Sequence, residues 1–214
     1  MTDALYLFDQ RQREENGVTF IAGFDEAGRG PLAGPVSCAG VILPPDYHND
    51  SINDSKKLTD KERRKLFLEI KEAAIAYEVR LIPTEVIDDI NILEADRKGM
   101  EECLFALLQK HAVDYLITDY MKLHTDIRTL SIPKGDATSL SVAAASILAK
   151  VTRDDYMMEL DKKYPQYQFA KNKGYGTKAH LQALRQYGYV KGVHRLSFEP
   201  VKSMASKMEQ LKLF

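Results

Sequence analysis

Residues 19–43 read TFIAGFDEAGRGPLAGPVSCAGVIL, and this stretch decides the fold class. Its apolar start, Thr19–Phe24, predicts a β-strand that runs directly into two acidic residues, Asp25 and Glu26. The glycines and proline of GRGP interrupt this strand, and the apolar, β-branched run Gly34–Leu43 predicts a second one. The stretch therefore begins a β-sheet, with the acidic pair at the end of its first strand.

The elements predicted around this stretch alternate between helix and strand, without an internal repeat. Thr59 followed by Glu62 matches a capping box at the start of a helix. The predicted helices are Ala4–Glu15, Asp60–Tyr77, Thr84–Asp89, Ile92–His111, Ser139–Tyr164, Thr177–Tyr187 and Glu199–Leu213. The further predicted strands are Tyr77–Ile82, Asp114–Thr118 and Arg128–Pro133. This order predicts an α/β fold with one sheet, flanking helices and a helical C-terminal part.

The composition is that of an ordinary globular protein, but its charge is unevenly distributed. The 214 residues are 44% hydrophobic and 29% charged, which excludes disordered and collagen-like chains. No run approaches the roughly 20 apolar residues of a bilayer-spanning helix. No signal-peptide core is visible, and two cysteines predict no disulfide framework. We therefore expect a cytoplasmic protein that does not bind membranes.

The net charge of −1 conceals two opposite halves, because residues 1–119 carry a balance of −9 and residues 120–214 a balance of +8. Acidic groups together with a basic surface suit an enzyme that binds metal ions and a polyanion. A chance imbalance on solvated faces would give the same numbers.

Four acidic residues lie at the ends of predicted elements: Asp25, Glu26, Asp119 and Asp136. Open α/β sheets place functional groups at strand ends, and Mg²⁺ or Mn²⁺ prefers carboxylate oxygens completed by water and substrate phosphates. Four converging carboxylates would repel one another strongly without cations. Taken singly, each acid also has a structural interpretation, as a turn residue, a residue at a helix start or part of an exposed pair. Spacing alone does not show that they converge.

Seven segments, in order along the chain, resemble the type II ribonuclease H family. The first is Gly23–Val36 (GFDEAGRGPLAGPV). The others are Asn53–Leu58 (NDSKKL), Leu116–Asp119 (LITD), Lys134–Asp136 (KGD), Val142–Asp154 (VAAASILAKVTRD), Lys173–Thr177 (KGYGT) and His194–Phe198 (HRLSF). The resemblance extends from about Thr19 to Lys202, which is nearly the whole chain.

This resemblance implies a ribonuclease H-like fold with a mixed five-stranded sheet. It implies an endonuclease that hydrolyses the RNA strand of RNA–DNA hybrids and nicks duplex DNA 5′ to embedded ribonucleotides, leaving a 3′-hydroxyl and a 5′-phosphate. The family's catalytic and metal-binding carboxylates carry over onto Asp25, Glu26, Asp119 and Asp136, which would hold two Mg²⁺ or Mn²⁺ ions. In this interpretation residues 1–18 lead into a catalytic domain at 19–165, and residues 166–214 form a basic helical part that completes the substrate groove.

The resemblance also implies how a ribonucleotide is recognised. Gly28, Arg29 and Gly30 would read the 2′-hydroxyl, since glycines allow the backbone to approach closely. Tyr175 resembles the family tyrosine that packs against the neighbouring sugar. The alternatives are a tight turn with Arg29 in a salt bridge, and a partly buried loop tyrosine.

The basic residues of the matching segments are candidates for phosphate contacts, which position a duplex without reading its sequence. These candidates are Lys56, Lys57, Lys173, His194 and Arg195. A solvated surface charge is the alternative for each of them.

Two further residues depart from a simple pattern. Asp154 shares an apolar helix seam with Ile147, Val151 and Met158, so we expect it to be buried and to support the site or bind a basic group. Tyr120 follows the third acid where many family members have glycine, which puts the local loop shape in doubt.

Two other functions compete with this interpretation. One is another two-metal nuclease of the same fold, since fold alone does not fix function. The other is a non-catalytic module that binds hybrids, against which the presence of all four acids argues. Nothing in the sequence demands more than a monomer bound to nucleic acid.

Overall fold

The computed structural model describes residues 3–53, 55 and 58–211, except for the side chains of residues 3 and 208–211. The chain forms two compact units. The sheet unit comprises Met1–Ala27, Ser37–Arg80 and Arg97–Val151, and the helical unit comprises Gly28–Val36, Leu81–Asp96 and Thr152–Phe214. The division at residues 18 and 165 inferred from the sequence stays a prediction.

The central sheet has five strands in the order β3-β2-β1-β4-β5. The strands are β1 Ile21–Ala27, β2 Val36–Ile42, β3 Ala76–Ile82, β4 Tyr115–Asp119 and β5 Thr129–Ile132. β1 pairs antiparallel with β2, whereas β1 with β4 and β4 with β5 are parallel. The sheet is therefore mixed, and the predicted fold class is confirmed.

The helices follow the sequence pattern closely. They are α1 Asp3–Asn16, α2 Asp60–Ala73, α3 Thr84–Leu108, α4 Leu140–Lys163, α5 Phe169–Asn172, α6 Lys178–Tyr187 and α7 Val201–Leu211, with 3₁₀ turns at Gly135–Ala137 and Pro165–Tyr167. The capping box of Thr59 and Glu62 is present at the start of α2. None of the helices among the described residues has the length and apolar character to cross a membrane.

The two helices predicted on either side of residues 90–91 are joined into α3 with a kink. Asn91 has non-helical dihedral angles there (φ 68°, ψ 166°), and its side chain accepts hydrogen bonds from the N–H groups of Leu93 and Glu94. Asn91 thus caps the second part of the helix. The sequence also predicts one apolar stripe along this part of the helix, formed by Ile92, Met100, Leu104, Leu107 and Leu108. The prediction is wrong at the last position, because Leu108 is 42% exposed.

The start of α4 is held against the centre of the sheet. A Cβ atom on Gly23 of β1 would overlap with the backbone of Ser141, so the helix approaches more closely than any other residue would allow. On the opposite side, the buried carboxylate of Asp9 in α1 accepts hydrogen bonds from Ser139 Oγ (2.6 Å), Ser141 N (2.9 Å) and Ser141 Oγ (2.7 Å). Asp9 therefore caps α4 from a residue 132 positions away.

The helical unit has a core of its own. It consists of Leu32, Ala33, Met157, Leu160, Tyr167, Phe169, Ala183, Leu184, Val193 and Val201. These residues come from the segment after GRG, from the second half of α4 and from the C-terminal helices, so widely separated parts of the chain share one apolar cluster.

Candidate active site

The pairing of parallel strands sets two of the four acids side by side. Phe24 of β1 lies opposite Thr118 of β4, so Asp25 and Asp119, the next residues along, lie side by side on adjacent strands. β1 extends to Ala27, so the prediction that Asp25 and Glu26 follow the strand is wrong, and both lie within it. Asp25 is only 4% exposed. One Asp25 carboxylate oxygen accepts a hydrogen bond from the backbone N–H of Glu26 at 2.8 Å.

The turn before α4 brings the fourth acid to this edge. Lys134 adopts a left-handed conformation (φ 58°), and the following N–H of Gly135 donates to Asp119 Oδ1 at 3.0 Å. A Cβ on Gly135 would lie 3.3 Å from the Cα of Asp119, so the turn is held closely against the end of β4. Asp136, the next residue, is buried.

The negative charges of the other three acids act on the buried carboxyl of Asp25. Burial raises the pKa of Asp25 well above its usual value, and the negative charges of Glu26, Asp119 and Asp136 raise it further. Only the hydrogen bond from Glu26 acts in the other direction. The structure therefore brings together the four residues that the sequence singled out, in an arrangement that disfavours ionisation of Asp25.

This carboxylate cluster (Asp25, Glu26, Asp119 and Asp136) fits a divalent cation in its donor chemistry. Carboxylate oxygens are the protein ligands that Mg²⁺ and Mn²⁺ prefer, and a cation would relieve the repulsion around Asp25. As placed, no three His, Cys, Asp or Glu side chains among the described residues are grouped closely enough to hold an ion. The case for a bound cation therefore rests on the negative charge and the oxygen ligands of the cluster, and not on the distances between its carboxylates.

Tyr120 adopts a backbone conformation that usually requires glycine, the residue that many family members have at this position. Its φ is 55°, a left-handed value that favours glycine, and its N–H donates to the Ile132 carbonyl at 3.0 Å. Its side chain is 77% exposed. The tyrosine therefore follows Asp119 without disturbing the end of β4.

In the helical unit, the segment GRG lies beside Tyr175. A Cβ on Gly30 would be 3.7 Å from Tyr175 Cε1, and Arg29 and Gly30 are exposed. Tyr175 is 46% exposed. Arg29 Nε is 3.6 Å from Asp96 Oδ2, so the salt bridge considered from the sequence is present.

The candidate phosphate contacts differ in where the structure places them. Lys56 and Lys57 lie outside the described residues, and Lys173 is half-buried with a left-handed backbone (φ 51°). His194 and Arg195 are completely buried. A phosphate cannot contact fully buried side chains, so for these two residues the structure does not support the predicted role.

Instead, His194 belongs to a chain of hydrogen bonds that ends at Tyr175. Its Nδ1 accepts from the N–H of Val190 (3.0 Å), so its Nε2 carries the proton and donates to His180 Nε2 (3.2 Å). His180 Nδ1 then donates to the Tyr175 carbonyl (2.9 Å). Burial lowers the pKa of His194 to about 4 and also lowers the pKa of His180. Both rings are therefore neutral, and together they hold the backbone of Tyr175.

Asp154 is buried, as predicted. Burial lowers the pKa of the neighbouring Arg153, and the negative charge of Asp154 opposes this shift, which agrees with the alternative that Asp154 binds a basic group. Met158, assigned to the same seam, is 42% exposed, so that part of the prediction is wrong.

Three residues of structural importance were not found from the sequence: Asp9, Arg153 and His180. Asp9 did leave a signal, since Leu5, Asp9 and Arg13 lie on one face of α1 at four-residue spacing and all three are buried. Arg153 lies in the matching segment Val142–Asp154, but neither Arg153 nor His180 stood out, because both residue types are common on surfaces.

Comparison with known proteins identifies the family. The sequence profile of the ribonuclease HII family matches residues 22–201. A ribonuclease HII of Bacillus cereus (strain AH820) is 50% identical over 193 residues, which are 90% of this chain and 74% of that protein. The crystal structure of ribonuclease H2 from Pyrococcus horikoshii OT3 superimposes with a TM-score of 0.74 at 25% identity, over 89% of this chain and 99% of that one.

A more distant structure shows the same fold. Bst-RNase HIII, solved in complex with Mn²⁺, matches with a TM-score of 0.67 at 17% identity, over 90% of this chain and 71% of that one. With its profile match and its half-identical relatives, the chain belongs to the ribonuclease HII family and is a ribonuclease H-type hydrolase.

Proposed function

We propose that the protein is an endoribonuclease that hydrolyses the RNA strand of RNA–DNA hybrids and nicks duplex DNA 5′ to embedded ribonucleotides, leaving 3′-hydroxyl and 5′-phosphate ends. The observation that carries this proposal is the carboxylate cluster around Asp25 at the sheet edge, in a chain of this family.

The cluster suits hydrolysis of a phosphodiester. Asp25, Glu26, Asp119 and Asp136 would hold two Mg²⁺ or Mn²⁺ ions, whose positive charge would offset the repulsion that the other three acids exert on Asp25. Two such ions, when bound, activate a water and stabilise the leaving 3′-oxygen. The Asp119 carboxylate keeps its orientation through its bond from Gly135 N, and Asp9 fixes the helix that follows Asp136.

The helical unit supplies the groups for recognising the ribonucleotide. Gly28, Arg29 and Gly30 offer backbone groups to the 2′-hydroxyl, which both donates and accepts hydrogen bonds. The exposed ring of Tyr175 offers an apolar face to the adjacent sugar. Lys56, Lys57 and Lys173 are retained as candidate phosphate contacts, and the enzyme acts as a monomer on a duplex in the cytoplasm.

The test uses a labelled DNA duplex with one internal ribonucleotide, incubated with the protein and Mg²⁺ or Mn²⁺. An all-DNA duplex of the same sequence and a reaction containing EDTA serve as controls. We expect one nick, 5′ to the ribonucleotide, only with the ribonucleotide and only with the divalent cation. Alkaline phosphatase and polymerase extension of the products then identify the 5′-phosphate and the 3′-hydroxyl.

Two outcomes would contradict the proposal in different ways. Equal cleavage of the all-DNA duplex would indicate another nuclease of the same fold. Tight binding of the ribonucleotide-containing duplex without cleavage, by protein shown to be folded, would indicate a binding module.

A further inference from the structure

Among the side chains that the structure describes, the two largest fully buried ones are arginines of the helical unit. Arg153 is 1% exposed and Arg195 is 0% exposed. Arg195 donates from Nε to the Gly34 carbonyl (3.0 Å), from Nη1 to the Arg29 carbonyl (2.8 Å) and from Nη2 to the Gly28 carbonyl (2.6 Å). Arg153 donates from Nε to the Pro35 carbonyl (2.9 Å), from Nη1 to the Lys173 carbonyl (3.0 Å) and from Nη2 to the Ala33 carbonyl (3.1 Å).

Six backbone carbonyls are thus held by two cations, and five of the six belong to residues 28–35. Burying a charge is costly unless it is fully hydrogen-bonded. Burial and the like charge of Arg153 lower the pKa of Arg195 to about 9, so its guanidinium still carries its charge at neutral pH. Two such costly groups around one short segment indicate that the conformation of this segment matters.

Arg195 fixes the orientation of two peptide planes. In a planar trans peptide the carbonyl of one residue and the N–H of the next point in opposite directions. With the Gly28 and Arg29 carbonyls bound to Arg195, the N–H groups of Arg29 and Gly30 point away from the buried guanidinium. Arg29 and Gly30 are exposed residues, so a ligand can reach this part of the segment.

Arg153 connects this segment to the loop that carries Tyr175. It binds the Ala33 and Lys173 carbonyls with two nitrogens of one rigid group. The Leu32 N–H reinforces the connection by donating to the Gly174 carbonyl at 2.8 Å. A Cβ on Gly28 (φ 99°) would overlap with Arg153 Nε, so the glycine is needed for the guanidinium to lie where it does.

Arg195 and the three residues that follow it make further contacts that hold the guanidinium in place. The Asp88 carboxylate accepts hydrogen bonds from the N–H groups of Leu196 (2.8 Å) and Ser197 (2.8 Å). Its negative charge partly opposes the lowering of the Arg195 pKa by burial and by Arg153. The guanidinium carbon of Arg195 lies 5.0 Å from the centre of the Phe198 ring. The residues following Arg195 therefore hold it in place.

We propose that Arg195, supported by Arg153, is a positioning residue for ribonucleotide recognition: it aims the N–H groups of Arg29 and Gly30 at the 2′-oxygen of the ribose. The ligand is the 2′-hydroxyl of one ribonucleotide in a duplex, and the inference rests on the proposed function. A lysine cannot replace either arginine, because only the planar guanidinium offers three nitrogens in a fixed geometry to separate acceptors.

The first test compares Arg195→Lys and Arg153→Lys with Arg185→Lys, a matched change at an exposed arginine of α6. Affinity is measured in Ca²⁺, without cleavage, for a duplex with one ribonucleotide and for its all-DNA counterpart. We expect Arg195→Lys to reduce the preference for the ribonucleotide by about 10-fold, the effect of one hydrogen bond to the ligand. Affinity for the all-DNA duplex should change less than about twofold, and Arg185→Lys should change neither value.

The outcomes separate this inference from the proposed function. If the wild-type protein shows no preference for the ribonucleotide and does not cleave beside it, the proposed function fails. If the wild type prefers and cleaves the ribonucleotide-containing duplex but Arg195→Lys keeps the full preference, only the inference is overturned. Equal losses for both duplexes would show a structural role and would also overturn it.

A second measurement on the wild-type protein decides the matter if Arg195→Lys does not fold. Amide NMR of the labelled protein is recorded with each duplex in Ca²⁺. We expect the Arg29 and Gly30 amide resonances to shift downfield with the ribonucleotide-containing duplex and not with the all-DNA one. Identical shifts of these two amides with both duplexes would overturn the inference.

Discussion

The carboxylate cluster of the sheet unit and the two arginines of the helical unit both place charge in the protein interior, with opposite consequences. Around Asp25 the neighbouring charges have the same sign, and the pKa of its carboxyl is raised by burial and repulsion. Around Arg153 and Arg195 every guanidinium nitrogen donates to a backbone carbonyl within 3.1 Å. A bound cation would relieve the repulsion between the carboxylates, whereas the two guanidinium groups already have hydrogen-bond partners in the backbone.

This difference separates two ways in which charge serves a protein. A cluster of like charges costs stability and is typical of a site that acts on a ligand. A buried charge with matched partners defines a conformation but does no chemistry. We therefore expect mutations in the sheet unit's cluster to change turnover, and mutations in the helical unit's framework to change stability and recognition.

The largest effect is expected at the centre of the cluster. Asp25→Asn keeps the shape of the side chain and removes its charge, so cleavage of the ribonucleotide-containing duplex should fall by orders of magnitude while duplex binding persists. In EDTA the same variant should unfold at a higher temperature than the wild type, because a desolvated, repelled charge is gone. Single-turnover cleavage and thermal unfolding measure the two effects.

Full activity of Asp25→Asn would contradict the role of the cluster. A variant that is inactive but also less stable in EDTA would show that Asp25 is a structural residue, and the contrast with the arginines would disappear.

The second prediction concerns the framework. In Gly174→Ala the new Cβ overlaps with the Ala33 carbonyl oxygen, and the residue must keep φ near 84°, so a loss of about 4 kcal/mol in the free energy of unfolding is expected. Gly17→Ala is the matched control, since Gly17 also has positive φ (61°) but has nothing within 4 Å of its Cβ position. It should cost about 1 kcal/mol.

Urea unfolding of both variants measures these costs. If Gly174→Ala were no more destabilising than Gly17→Ala, the close contact between the Tyr175 loop and the segment after GRG would have no energetic weight.

The sequence predicted the two regions unequally, for a physical reason. Asp25, Glu26 and Asp119 lie in or at the end of recognisable strands and Asp136 lies in the turn before α4, so local patterns marked each acid as a candidate. Their convergence was implied by the resemblance to the family, because spacing alone did not show it. Arg195 was predicted to contact phosphate, as a basic residue of a segment that resembles the family, with a solvated surface charge as the alternative. The Gly28 carbonyl that it binds belongs to a residue 167 positions away. A local sequence pattern does not show which distant backbone carbonyls will need a hydrogen-bond donor in the folded chain. The same limit applies to Asp9 and the start of α4.

The pH dependence of stability should have opposite signs in the two regions. The folded-state pKa of His194 is about 4, below its ordinary value of about 6.5, so between these values only the unfolded chain takes up the proton. The free energy of unfolding should therefore fall by about 3 kcal/mol as the pH decreases from 6.5 to 4, and His180 acts in the same direction. The raised pKa of Asp25 has the reverse effect, since acidification removes its charge.

His194→Gln tests this sign, because glutamine keeps one acceptor and one donor but does not titrate. Urea unfolding between pH 7 and 4.5 should show a shallower loss of stability in this variant than in the wild type. If the slope were the same in His194→Gln as in the wild type, the protonation of His194 would not contribute to the loss of stability at low pH.

Divalent cations give the smallest expected effect and the most direct comparison of the two regions. A cation that binds only the folded protein stabilises it by about 2.7 kcal/mol at a free concentration 100 times its Kd. Mn²⁺ should therefore raise the unfolding temperature of the wild type and of Asp89→Asn, which removes an exposed acid of the helical unit, but should raise that of Asp25→Asn far less. If Mn²⁺ raised the unfolding temperature of Asp25→Asn as much as that of the wild type, the negative charge of Asp25 would not be needed to bind the ion. The cation would then bind elsewhere, and the raised pKa of Asp25 would be a cost of folding with no link to catalysis.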